Sequence, residues 1–220
     1  MTTLALQPDP SAGQDAFISA STPTTNKGSD IQLISGYYQS VIGPARPVIQ
    51  FDISSVPAGA TVDSATVGLY LSSVANAGTQ YLDFYRVLRA WVESQVTWDI
   101  AATGADWGTA GCADTVSDRE PVVIGTATLA TANAWYSASL QPSLVQEWVS
   151  GAITNNGLIG ILRGETNTWL RYFRSSDYTD DTSLRPKLTI EYTEGSGGGI
   201  THRVIGSGII NSRAIVRGAA

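Results

Sequence analysis

Ala60–Leu71 reads A-T-V-D-S-A-T-V-G-L-Y-L, and Tyr81–Trp98 reads Y-L-D-F-Y-R-V-L-R-A-W-V-E-S-Q-V-T-W. In the first run Ala65, Val67, Leu69 and Leu71 alternate with Thr66, Gly68, Tyr70 and Ser72. Period two means a strand with one face buried. In the second run Leu82, Phe84 and Leu88 share one parity, while Tyr85, Val87 and Trp91 share the other. Apolar residues on both faces suit a strand covered on both sides. Asn76-Ala77-Gly78 between the runs supplies residues that tolerate positive φ. The reading is an antiparallel pair at the centre of a β-sandwich.

The flanking sequence extends an all-β, jelly-roll-like pattern. Short strands are expected at Ala16–Ser19, Ile31–Tyr38, Pro47–Ile53, Val122–Leu129, Leu158–Leu162, Trp169–Phe173 and Leu188–Tyr192, with Gly43-Pro44 as a breaker. One helix is expected from Pro142, whose missing N–H costs nothing in the first turn, to Gly151. Leu144, Val145, Trp148 and Val149 give it one apolar face, which should lie across an open end of the sandwich. Asp99–Glu120 reads as a long irregular excursion, a feature that is usually functional or mobile. Residues 1–13 read as an N-terminal arm, 14–194 as the sandwich, 195–199 as a Gly/Ser linker and 200–220 as a tail.

That tail holds a repeat. Ile200-Thr-His-Arg203-Val204-Ile205 recurs ten residues later as Ile210-Asn-Ser-Arg213-Ala214-Ile215, and Gly208 and Gly218 close the copies. Units so short cannot bury their apolar sides alone. Ile200, Arg203, Ile205, Ile210, Arg213, Ile215 and Arg217 are therefore the expected subunit interface. The chain carries a net charge of −6. Arg203, Arg213 and Arg217 stand in the tail without an acid, so the remaining chain carries −9. An acidic body argues against a nucleic-acid partner. A basic tail on that body points to another copy, or a second assembly protein, as partner. The opening residues do not read as a secretory signal, and no run suits a membrane span.

Several motifs resemble the DNRLRE family, a non-catalytic β-sandwich module of secreted and surface proteins. They are Asp15-Ala-Phe-Ile with Pro23-Thr-Thr-Asn26-Lys-Gly28, Arg46–Ile53, Thr61–Tyr70, and Trp91-Val-Glu93-Ser-Gln-Val-Thr-Trp98. Leu144–Gly151 with Asn156-Gly157, and Arg185–Tyr192, complete the resemblance. It implies the same sandwich and no catalysis; some relatives are similar to carbohydrate-binding modules. The arm and the tail lie outside the pattern.

The chemistry on offer is limited. Cys112 and His202 are each the sole residue of their kind, which removes intrachain disulfides and His-paired nucleophiles. Glu93, Asp99, Asp106, Asp114, Asp118 and Glu120 gather around the excursion, and glycoside hydrolysis would need two of them facing a cleft. The favoured reading is a strand-end turn for Glu93 and turn caps for the aspartates, with no catalysis. Asp15, Asn26, Asp177, Asp180 and Asp181 form an oxygen-rich candidate set for a structural calcium; no other cofactor is implied. Trp107, Tyr37, Tyr38 and Tyr178 are the candidate glycan platform. Two functions follow: a virion exterior component (decoration, tail or fibre) assembled through its tail, or a carbohydrate-binding module of a surface or extracellular protein.

Overall fold

The computed structural model describes residues 1–38, 42–166 and 168–195. Its strands in chain order are β1 (Thr2–Leu6), β2 (Gln14–Ser19), β3 (Gln32–Tyr38), β4 (Ile42–Gln50), β5 (Thr61–Ala75), β6 (Gln80–Arg86), β7 (Ile100–Ala102) and β8 (Ala105–Asp106). There follow β9 (Gly125–Leu129), β10 (Ala134–Leu140), α1 (Pro142–Val149), β11 (Leu158–Leu162), β12 (Trp169–Arg174) and β13 (Lys187–Thr193). All strand pairings are antiparallel. The all-β sandwich with one short helix is therefore the observed fold.

A single sheet curls into two layers. One layer runs β10-β5-β13-β1, and the other runs β2-β4-β11-β6-β9. β3 pairs with both β4 and β12, and β12 pairs with β5, so these two strands turn the corner between layers. The inner faces meet in one core that includes Val67, Leu69 and Leu71 from β5, Leu82 and Phe84 from β6, and Phe173 from β12. α1 adds Val145, Trp148 and Val149 to it. Its Gln146 amide bridges the Val62 N–H and the Ala60 carbonyl at the entry to β5.

The central pair expected from the sequence is not a pair. β5 bonds to β10, β12 and β13, whereas β6 bonds to β9 and β11. The two strands oppose one another across the core, each pointing its apolar parity at the other. The turn between them is real, with Asn76 at φ 65° and Gly78 at φ 140°, but it crosses between layers. Buried Arg171 donates to the carbonyls of Ala75, Asn76 and Gly78, satisfying this crossing where no ladder can.

Three other expectations change. Gly43-Pro44 lies within β4 and does not interrupt it. Residues 1–13 are not wholly an arm, because Thr2–Leu6 pairs along β13 with Leu4 and Leu6 against the core. The excursion is a packed roof. Residues 87–120 carry the β7–β8 hairpin and bury Val87, Trp91, Val96, Ala101, Trp107 and Cys112 against Ala16, Ile18, Val48 and Ile159 of the sheet's outer face. The tail and its proposed interface residues Ile200, Arg203, Ile205, Ile210, Arg213, Ile215 and Arg217 lie outside the described residues.

Candidate functional site

The roof shows what the carboxylates of the excursion do. Asp118 has no exposed surface and accepts N–H bonds from Gly108, Thr109 and Asp114, with Arg89 at 3.2 Å. Burial pushes its carboxyl up, but those donors outweigh burial and leave it below the usual carboxylate range. Glu120 pairs with buried Arg86, which also meets Glu147 and the Leu144 carbonyl of α1. Both acids are spent on holding the roof. Burial drives the Cys112 thiol well above its normal range, so it is an inert core group.

Two of the predicted platform residues are core residues. Trp107 is 5% exposed and donates its indole N–H to the Thr97 carbonyl at 3.0 Å. Loop position misled here, because the loop has its own core. Tyr178 is buried under the Arg174 guanidinium, 3.9 Å from the ring centroid. Tyr37 and Tyr38 are half-buried at the end of β3, where Tyr38 joins a small apolar cluster, and they form no platform with the other two.

The outer face of the other layer is different: among the described residues, no segment lies over it. Tyr70 of β5 stands opposite Trp135 of β10, with ring centroids 5.8 Å apart and planes at 70°. One register step along, Gly68 lies between Ser137 of β10 and Lys187 of β13. A Cβ at Gly68 would sit 3.1 Å from Lys187 Cε, so the missing side chain leaves the lysine stem its path across β5. Lys187 Nζ thereby reaches to 3.9 Å from the Trp135 ring centroid. Thr66 and Ser139 form the next row, beside Thr189. The result is an indole held edge-on by a phenol and capped by an ammonium, beside exposed or half-buried hydroxyls. β10 was not foreseen, because its alanines and serines dilute the Trp135-Tyr136 pair and it holds no β-branched residue.

The oxygen-rich candidates divide. Asp15 and Asp177 come together with Glu93, each offering a carboxylate oxygen within 4.8 Å of the other two. Asn26 donates to the carbonyls of Glu93 and Val96 and accepts from Gly28, so it clamps the Glu93 loop. Gly28 is required there, since a Cβ would fall 2.3 Å from the Glu93 carbonyl oxygen. Asp180 and Asp181 do not join: both are exposed, and Asp181 caps a 3-10 turn by accepting from Ser183. Glu93 is the member that sequence reasoning assigned to a turn. The signal lay in the motifs, since the opening segment Asp15–Gly28 and the Trp91–Trp98 element meet at this point.

A family model described as the disaggregatase related repeat domain matches residues 33–190. The chain belongs to this family. The disaggregatase related repeat span begins within β3 and ends within β13, so it holds the roof, α1, Trp135, Lys187, Glu93 and Asp177. β1 and β2, with Asp15, precede it. No curated protein matches the chain. Among the described residues, no helix is long and apolar enough to cross a membrane.

Proposed function

We propose that the sandwich is a non-catalytic polysaccharide-binding module whose binding face is the uncovered layer around Trp135. The observation that supports this is the joining of Trp135, Tyr70 and Lys187 to rows of serine and threonine hydroxyls on one regular sheet surface. An aromatic body with a polar fringe suits a sugar, which offers C–H groups on one side and hydroxyls at its rim. Strand-borne side chains are fixed relative to one another, which limits the ordering cost of binding. The DNRLRE-like motifs agree with such a module. The test is binding of the full chain to a panel of neutral and uronic-acid polysaccharides. One of them should bind, and Trp135→Ala should weaken that binding at least tenfold, about 1.4 kcal/mol, with an unchanged fold. No binding across the panel, or an unaffected variant, would overturn the reading.

A second reading is favoured by the ten-residue repeat. The tail docks on another copy or on a second protein of a virion exterior or similar surface assembly. β1 bonds only to β13, so among the described residues its other edge is free to receive a strand. Sedimentation of the full chain against a version ending at Glu194 tests it. Assembly lost with the tail supports docking, and two monomers contradict it.

A further inference from the structure

Three carboxylates from distant parts of the chain converge at the seam between roof and sandwich. Asp15 is on the edge strand β2, Glu93 in the first turn of the roof, and Asp177 in the connection from β12 to β13. Each is partly engaged. Glu93 Oε1 accepts the Asp15 N–H at 2.8 Å, closing the free edge of β2. Asp15 Oδ2 accepts the Ser176 N–H at 2.8 Å. Asp15 is only 2% exposed, yet its Oδ1 has no hydrogen-bond partner, and neither has the buried Oγ of Ser176 beside it. Among the described residues the Asp177 carboxylate accepts no hydrogen bond, and no lysine or arginine forms an ion pair with any of the three.

That combination is unfavourable unless something positive completes it. A buried carboxylate oxygen without a donor forfeits its hydration, and a second and third like charge add repulsion. Burial first, and then the charges of Glu93 and Asp177, push the Asp15 carboxyl up to about 7. Burial likewise raises Glu93 and Asp177, with Arg185 opposing the rise at Asp177 and Asp30 adding to it. Arg185 does not resolve the conflict, because it forms no ion pair with any of the three carboxylates, and its Nε donates to the Tyr178 carbonyl.

We propose that Asp15, Glu93 and Asp177 bind a calcium ion that staples the roof to the sandwich. Hard oxygen donors exclude soft metals. Two oxygens on one calcium, each at about 2.3–2.6 Å, lie up to about 5 Å apart, which accommodates the spacing of 4.8 Å or less. Magnesium draws its oxygens to about 2.0–2.1 Å and holds several waters, so it fits this part-buried protein cage less well. Ser176 Oγ is placed to add a neutral ligand. The clamp of Asn26 and Gly28 fixes the Glu93 loop, so the cage is organised before the ion enters.

The test uses the full chain, stripped with a chelator and titrated with calcium chloride or magnesium chloride, and reads both binding heat and thermal midpoint. Calcium at a hundredfold excess over its Kd should raise the midpoint by about 5–10 °C, and magnesium by less than half of that. Glu93→Gln keeps the acceptor for the Asp15 N–H. It should melt no lower than the wild type without calcium, yet bind calcium at least tenfold more weakly. Asp177→Asn should behave alike, while Asp180→Asn/Asp181→Asn should keep wild-type affinity. Absence of a calcium response, a response preserved in Glu93→Gln, or one lost in the Asp180/Asp181 variant would each overturn the assignment.

Discussion

One outer face of this sandwich buries two tryptophans beneath a roof, and the other leaves one half-buried on a bare sheet. Over β2, β4 and β11 the roof brings down Trp91 and Trp107, and each indole N–H is matched to a backbone carbonyl, Asn156 for Trp91 and Thr97 for Trp107. Over β10, β5 and β13 nothing among the described residues descends, and Trp135 has Tyr70 at its edge and the Lys187 ammonium over its ring. The same residue type therefore serves two ends. A covered indole contributes to stability, and an uncovered one is available to a ligand. The difference lies in whether the chain supplies a second layer.

Perturbing the two faces should produce opposite signatures. The largest effect is expected under the roof. Trp107→Ala leaves a cavity in a small core and should lower unfolding free energy by about 3–5 kcal/mol, read by denaturant titration. Polysaccharide binding under native conditions should survive it. Next comes Asp118→Asn, which removes the charge that draws in the Gly108, Thr109 and Asp114 N–H groups and should cost about 2–3 kcal/mol at pH 7. Asp118 is held below the usual carboxylate range, so its contribution is full above about pH 4 and fades as pH falls through the depressed value. The gap between wild type and variant should accordingly narrow in acid, and a gap constant with pH would refute this role.

Effects on the bare face should be small in stability and large in binding. Trp135→Ala should shift unfolding by no more than about 1 kcal/mol, since the ring is only half-buried. Gly68→Ala is the mildest change. The added methyl must displace the Lys187 stem, so binding should weaken by a fewfold, with stability altered by about 0.5 kcal/mol or less. A stability loss at Trp135 equal to that at Trp107 would erase the distinction between the faces.

The inward parity of β5 and the helix at Pro142 were legible because period and helix-end chemistry are local properties. The pairing of β5 with β10, β12 and β13 was not legible. Alternation shows which side of a strand is buried, but it does not show whether the opposing apolar side belongs to a neighbour or to the facing layer. For the same reason Trp107 was placed in solvent: glycines and aspartates mark a loop, but only its folding onto Ile159 and Val48 reveals that the loop has a core. Asp15 and Asp177 were legible as oxygen donors. Glu93 was not, because its partners lie 78 residues before it and 84 after it in the chain. The Trp135 platform was hidden because alanines and serines outnumber the strand-favouring residues of β10.

The most direct measurement is hydroxyl-radical footprinting of the full chain with and without a bound polysaccharide. Protection should fall on Trp135 and Tyr70 and leave Tyr81, exposed on the roofed layer, unchanged. Protection of Tyr81 with Trp135 still open to the radical would place the ligand on the wrong face and contradict the account.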